Sequence, residues 1–272
     1  MRHGGAGEDD TVRINLRKTL FILPNLFTLS AIYCGFHAII LSQPGASEDD
    51  FYRASLLIIF AMFFDAIDGR VARLTRTQSA FGVEIDSLAD VVSFGVAPAL
   101  LVYNWALHEL GTVGIVAAFA YLSCGAIRLA RFNVLAMSKD GTPDAPGKYI
   151  VGLPIPGAAG ILVSLVVFLG SSQGPAIPVL VALLLMGFFM VSTIRFRSFK
   201  DLRMNWRTVA LVSFAVGSSG FLALKFHMAM AVGWLLGCYV VIAMVESMLS
   251  LARRLSRRRH APDAPDDDIS ED

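Results

Sequence analysis

Long apolar stretches recur along this chain and limit its possible folds more than any other feature. A run of about 20 apolar residues can cross the hydrocarbon core of a bilayer as a helix, because lipid offers no partner for an unpaired backbone group. Of the 272 residues, 55% are hydrophobic and 17% are charged, so the chain is more apolar than a soluble domain. We therefore predict an all-α, polytopic membrane bundle of about eight transmembrane helices, at roughly residues 20–42, 54–74, 84–107, 112–134, 154–171, 175–194, 208–225 and 229–251.

The distribution of basic residues predicts the orientation of this bundle. Lys and Arg concentrate on the cytoplasmic side of membrane proteins. Arg17 precedes the first apolar stretch, the connection at 43–52 is acidic, and Arg73 lies at the end of the second stretch. The alternation continues along the chain, so we expect both termini to be cytoplasmic. It also places segment 65–90 at the cytoplasmic face.

Outside the apolar stretches the chain leaves little room for a second domain. We divide it into a cytoplasmic or interfacial segment at 1–19, a membrane domain at 20–252 and a tail at 253–272 that is first basic and then acidic. The composition of the tail is typical of disorder. The net charge is only +1, so a nucleic acid is not an expected partner, whereas a lipid bilayer is.

Four aspartates are embedded in the second and third apolar stretches. Asp65 and Asp68 are three residues apart, and Asp86 and Asp90 are four apart, so each pair shares a helix face. Two antiparallel helices joined near Gly82 would bring all four carboxylates together. Each aspartate that faced lipid at mid-membrane would cost about 2.5–3.5 kcal/mol on insertion scales, and four converging carboxylates repel one another unless cations lie among them. Hard oxygen ligands of this kind predict a site for Mg²⁺, Mn²⁺ or Ca²⁺.

Small residues and one arginine follow the first pair of aspartates. Gly69 and Ala72 leave a gap beside the carboxylates, and glycine inside a helix usually has a packing or ligand reason. Arg73 offers a guanidinium to a phosphate. Enzymes that transfer phosphoryl-type groups use divalent ions and arginine to neutralise the charge of the phosphate.

The spacing of these residues resembles a known signature. Residues 65–90, DAIDGRVARLTRTQSAFGVEIDSLAD, match every fixed position of the signature of the CDP-alcohol phosphatidyltransferases. Further segments, among them LPNLFTLSAIYCGF, RLARFN and GLPIPGAA, resemble the bacterial integral-membrane phosphatidylserine synthases of that family over roughly residues 20–160. The resemblance implies a homodimeric enzyme of the bacterial cytoplasmic membrane, with its active site at the cytoplasmic face.

The resemblance also implies roles for individual residues. The four aspartates would ligate one or two ions, Mn²⁺ or Mg²⁺, and Asp90 would be the general base. The site for CDP-diacylglycerol would consist of Asp68, Gly69, Ala72, Arg73 and Gly82, with Asn25, Thr28 and Ser79 as further contacts. For Asn25 and Thr28 the alternative is a helix cap or an interhelical hydrogen bond, and for Ser79 it is a role in the loop alone.

The acceptor is expected to be L-serine, whose carboxylate suits a bidentate arginine. Arg128 and Arg131 share a face at the end of the fourth apolar stretch, and Asn133 and Lys148 are further candidates. The alternative for the two arginines is to anchor the helix at the lipid headgroups.

Two other functions stay open at this point. One is a sibling transferase that uses glycerol phosphate, inositol phosphate or choline. The other is an ion-coupled transporter, although transporters place their sites near the bilayer midplane, often between two repeats. A single carboxylate cluster at one face, without a second copy, favours the transferase.

Overall fold

The fold is a bundle of helices, described here from a computed structural model. The structure describes residues 16–75, 77, 79–136, 149–170, 173–192, 195–197, 218, 219 and 234. The helices are α1 (Leu16–Leu41), α2 (Glu48–Leu74), α3 (Ala80–Asp90), α4 (Ala97–Val102), α5 (Thr112–Ala136), α6 (Ile155–Leu169) and α7 (Ala176–Val191). The structure also describes two short strands, β1 (Tyr149–Val151) and β2 (Arg195–Arg197).

The first six predicted apolar stretches are helical, which confirms the all-α prediction for the described part of the chain. Within that part, three helical segments are long and apolar enough to cross a membrane: Pro24–Leu41, Ala80–Leu110 and Thr112–Val134. The helices at Ile155–Leu169 and Ala176–Val191 are apolar but shorter. The last two predicted stretches lie almost entirely outside the described residues, as do both termini, so the number of eight helices stays a prediction.

The distribution of side-chain sizes on α1 is that of a helix in lipid. Five of its large apolar side chains are exposed, namely Leu26, Leu29, Tyr33, Phe36 and Ile40. Its small ones, Ala31, Cys34 and Ala38, are buried against the rest of the bundle. Small residues inside and large ones outside let membrane helices approach closely.

Gly35 of α1 packs closely against the backbone of Ser93. A Cβ atom on Gly35 would lie 2.7 Å from the Cα atom of Ser93, so only glycine allows this packing. The Ser93 hydroxyl donates to the carbonyl of Ala31 at 2.9 Å. This contact holds α1 against the helix that carries Asp86 and Asp90.

The third helical segment begins earlier than predicted. We predicted a start at residue 84 with a joint near Gly82, but α3 begins at Ala80 and Gly82 lies in its first turn. The reason is a cap: the Ser79 hydroxyl accepts a hydrogen bond from the Gly82 N–H at 3.0 Å, which satisfies a backbone donor that the helix leaves free.

The same segment contains two π-helical stretches, Val91–Val96 and Tyr103–Leu107. Pro98 follows the first of them, and a proline has no N–H to donate to the carbonyl four residues earlier, which is that of Phe94. The hydroxyl of Tyr121, on α5, donates to this carbonyl at 3.0 Å. The buried tyrosine thus replaces the missing donor and joins α5 to the aspartate-bearing helix.

A two-stranded antiparallel ribbon was not predicted. Tyr149 pairs with Arg197, Ile150 with Phe196 and Val151 with Arg195. Next to it, the Leu153 N–H donates to the Phe189 carbonyl at 3.0 Å. The ribbon therefore ties the beginning of α6 to the end of α7.

Candidate metal and active site

Three aspartates from two helices meet at one end of the bundle. Asp65 and Asp68 lie near the end of α2, and Asp86 lies in α3, the next helix along the chain. One carboxylate oxygen from each of the three lies within 4.8 Å of the others. Asp68 is buried, with 5% of its surface exposed, and the other two are half-buried.

The fourth aspartate lies beside this cluster. Asp90, one turn further along the helix from Asp86, is within hydrogen-bond reach of the Asp65 carboxyl. The charges of Asp65, Asp86 and Arg128 all act on it. Asp90 is thus part of the same polar site. The positive charge of Arg128, on α5, partly balances the negative charges of the neighbouring aspartates.

The carboxylates are suited to a divalent ion. Oxygens bound to Mg²⁺ or Ca²⁺ lie about 2.0–2.6 Å from the ion, so two that share one ion are at most about 5 Å apart. The 4.8 Å limit on Asp65, Asp68 and Asp86 is consistent with that distance. Three carboxylates without an ion would repel one another in an environment that water reaches poorly, so this donor set fits a hard cation.

Thr28 meets the aspartates from a third helix. Its hydroxyl donates to the Oδ2 atom of Asp68 at 2.7 Å, across 40 residues of sequence. Both side chains are buried. Of the alternatives left open for Thr28, the interhelical hydrogen bond is the one that the structure contains. Asn25 lies one turn earlier on α1 and is half-buried.

The residues predicted to bind the nucleotide lie near the aspartate cluster, and they differ in how far they are buried. Gly69 is half-buried, and a Cβ atom placed on it would meet the Nη1 atom of Arg73 at 3.5 Å. Arg73 is exposed, and its charge acts on Asp68. Ala72 is half-buried on the same helix, so one edge of the site has small side chains.

Ser79 and Gly82 cap α3 through the hydrogen bond described above. Ser79 therefore has a local role at the beginning of the helix, and a contact with a phosphate stays a prediction. In Gly82 an added Cβ atom would lie 3.2 Å from the Ser79 Oγ atom. The small size of Gly82 therefore suits that cap.

The candidates for the acceptor site separate into different places. Arg128 is half-buried near Asp90, with its guanidinium carbon 5.8 Å from the centre of the Phe132 ring. Arg131 is exposed. Lys148 lies outside the described residues.

Asn133 contacts α3 directly. Its Nδ2 atom donates to the Ser87 Oγ atom at 2.9 Å, and the Ser87 hydroxyl donates in turn to the carbonyl of Val83 at 3.0 Å. The sequence analysis did not select Ser87. Its position next to Asp86 was the available signal, but only the fold shows that the end of α5 reaches it.

Comparisons with known proteins cover most of the chain. The family model of the CDP-alcohol phosphatidyltransferases matches residues 21–194. A protein of Helicobacter pylori (strain ATCC 700392 / 26695), named CDP-diacylglycerol--serine O-phosphatidyltransferase, is 36% identical over 240 residues, which are 86% of this chain and 94% of the relative. A Bacillus subtilis (strain 168) protein of the same name is 37% identical over 180 residues, 65% of this chain and 91% of the relative. One from Methanocaldococcus jannaschii is 40% identical over 145 residues, 53% and 64% of the two chains.

Proposed function

The chain belongs to the CDP-alcohol phosphatidyltransferase family, and we propose that it transfers the phosphatidyl group of CDP-diacylglycerol to the hydroxyl of L-serine, with release of CMP. The observation that carries the proposal is the convergence of Asp65, Asp68 and Asp86, with Asp90 beside them. Relatives that match most of this chain are named for this activity. The lipid substrate and the apolar helices are compatible with an enzyme of the bacterial cytoplasmic membrane.

The aspartates would hold one or two divalent ions, Mn²⁺ or Mg²⁺. An ion bound there would supply charge neutralisation for the diphosphate and for the phosphorus under attack. Arg73, exposed next to Gly69, would bind a phosphate oxygen, and the small residues Gly69 and Ala72 would let the nucleotide approach α2. These contacts hold the lipid substrate in place for an attack from the side of Asp90.

Asp90 would act as the general base. Its carboxylate takes the proton of the serine hydroxyl while the serine oxygen forms a bond to the phosphorus that carries diacylglycerol. The bond between that phosphorus and the bridging oxygen breaks, and CMP leaves with this oxygen. Proton transfer by a positioned side chain contributes about 10²–10⁴-fold to such a step.

Arg128 is the preferred ligand of the serine carboxylate. In serine only two carbons separate the hydroxyl oxygen from the carboxyl carbon, so the cation that binds the carboxylate must lie close to the base. Arg128 is near Asp90, whereas Arg131 is exposed one turn further along α5. Arg131 and Lys148 would then interact with headgroups or with the mouth of the site.

The remaining parts of the proposal concern the whole protein. We propose eight transmembrane helices, with both termini and the active site on the cytoplasmic side. We also propose a homodimer. Cysteine accessibility labelling from each side of the membrane tests the orientation, and cross-linking in membranes tests the dimer.

CMP release from CDP-diacylglycerol by the purified protein tests the activity. Reactions contain Mn²⁺ or Mg²⁺ and either no acceptor, L-serine, glycerol 3-phosphate, inositol phosphate or choline. We expect CMP and phosphatidylserine to form in equal amounts and only with L-serine. Product with another alcohol and none with serine would identify that alcohol as the acceptor in place of serine. The absence of CMP release under every condition would overturn the transferase proposal.

A further inference from the structure

Thr28 differs from Ser30, the next hydroxyl on the same helix, in the group to which it donates its proton. Ser30, two residues later, donates to the carbonyl of Leu26 on its own helix at 2.8 Å, which is the usual behaviour of serine and threonine inside helices. Thr28 has the same option, since the Pro24 carbonyl is 3.2 Å from its oxygen. However, its hydroxyl is only 2.7 Å from the Asp68 carboxylate. One hydroxyl carries one proton, and a short, charge-assisted bond to a carboxylate is stronger than a long one to a carbonyl.

The packing of α1 against α2 holds this pair in register. The rings of Phe27 and Phe64 stack with their centres 6.4 Å apart, one residue before Thr28 and four before Asp68. At the same end of the bundle, Thr28 and Asp68 have 4% and 5% of their surfaces exposed. The hydrogen bond therefore forms within a packed interface, where water does not compete for the carboxylate.

We propose that Thr28 is a positioning residue that orients the Asp68 carboxylate for a divalent ion, and not a ligand of the nucleotide. A hydrogen bond to Oδ2 restrains the rotation of the carboxylate and so fixes the direction in which it faces Asp65 and Asp86. Hydrogen bonds to ligating carboxylates orient them in metal sites generally, and loss of such a partner typically weakens metal affinity about 10–100-fold. The inference rests on the proposed metal-dependent transfer.

The test measures Mn²⁺ binding to the purified protein in detergent, without substrate, through the electron paramagnetic resonance signal of free Mn²⁺. Thr28→Val has nearly the same shape but no donor, and Thr28→Ser restores the hydroxyl. We expect Thr28→Val to weaken Mn²⁺ binding about 10–100-fold, Thr28→Ser to recover most of the affinity, and Ser30→Ala, the matched control on the same helix, to bind Mn²⁺ like the parent protein. Wild-type Mn²⁺ affinity in Thr28→Val would overturn the proposal.

A second measurement separates positioning from direct contact with the nucleotide. For a positioning role, saturating Mn²⁺ should bring the KM for CDP-diacylglycerol of Thr28→Val back close to the wild-type value. A raised KM that saturating Mn²⁺ does not correct, together with unchanged Mn²⁺ affinity, would assign Thr28 to the nucleotide instead. If Thr28→Val does not fold, Thr28→Ala removes the same donor without adding a methyl group, and the same criteria apply.

These measurements remain distinct from the test of the proposed function. Mn²⁺ binding is measured without lipid or acceptor, so it does not depend on which alcohol the enzyme uses. A wild-type protein that binds Mn²⁺ but releases no CMP with serine would contradict the proposed function. The Mn²⁺ affinities of the Thr28 variants would still decide the role of Thr28.

Discussion

Gly69→Ala should make the protein more stable and less active, two effects that a purely structural glycine would not combine. Gly69 lies inside α2, one residue after Asp68. A Cβ atom at this position would have the Arg73 Nη1 atom as its nearest neighbour, at 3.5 Å. That distance is an ordinary van der Waals contact with the end of a flexible side chain, so the fold accommodates the methyl group without moving backbone.

The stability change follows from the helix. Alanine is more favourable than glycine in a helix interior by about 1 kcal/mol, because glycine loses more backbone freedom on folding. No steric cost offsets this gain at Gly69. We expect the unfolding temperature in detergent to rise by about 2 °C, the usual size of such a change in a chain of this length.

The activity change follows from the proposed approach of the nucleotide to the backbone of α2. A methyl group inserted into a closely packed contact typically costs about 1–3 kcal/mol. At about 1.4 kcal/mol per factor of ten, kcat/KM for CDP-diacylglycerol should fall about 5-fold to 150-fold. The KM for serine should change little, because the acceptor binds on the side of Asp90.

The assay combines thermal unfolding in detergent with CMP release at varied CDP-diacylglycerol concentration. Gly187→Ala is the matched control, because an added Cβ atom there also has its nearest neighbour at 3.5 Å, the Cys124 Sγ atom, but lies on α7. The control should gain stability and keep its activity. Wild-type kcat/KM in Gly69→Ala would show that the nucleotide does not approach this glycine, and a loss of stability would show that the space beside Arg73 is not there.

Four other predictions follow from the site and the bundle. Asp90→Asn should lower turnover by about 10²–10⁴-fold while equilibrium binding of CDP-diacylglycerol persists, and wild-type turnover would remove Asp90 as the base. Chelation of divalent ions should abolish activity until Mn²⁺ or Mg²⁺ is restored, so full activity of metal-stripped protein would contradict the metal site. Arg128→Ala should raise the KM for serine about 10–100-fold, since a charge-assisted hydrogen bond contributes about 1.5–3 kcal/mol; Arg131→Ala should raise it less, and the opposite order would move the acceptor to the exposed arginine. Tyr121→Phe should destabilise the protein by about 1–3 kcal/mol in thermal unfolding, because the buried Phe94 carbonyl loses its donor; an unchanged unfolding temperature would mean that another donor reaches it.

Several features of the fold and the site could be read from neighbouring residues. The apolar stretches predicted the first six helices, because length and hydrophobicity decide whether a segment can cross a bilayer. The spacing of Asp65 and Asp68, and of Asp86 and Asp90, predicted which carboxylates share a helix face, because the helical period is a local property. The same spacing supported the family assignment, which the comparisons confirm.

Other features could not be read in this way. The helix that contains Asp86 begins at Ala80, because Ser79 caps it there. The apolar pattern alone predicted a start four residues later. The ribbon pairs Tyr149–Val151 with Arg195–Arg197, and its register depends on how α6 and α7 pack between those strands. Neither short strand has enough alternation to be recognised in the sequence.

The sequence by itself determined that this chain forms membrane helices, that two of them carry paired carboxylates, and that the pairs are joined by a short connection. Only the tertiary structure decided which side chains of other helices approach this site. Thr28 donates to Asp68, Asn133 donates to the Ser87 hydroxyl beside Asp86, and Arg128 is the arginine whose charge acts on Asp90. The reason is physical. Periodicity along one helix relates residues three or four apart, whereas contacts between helices depend on their rotation and separation, which close packing such as that of Gly35 against Ser93 sets across 58 residues of sequence.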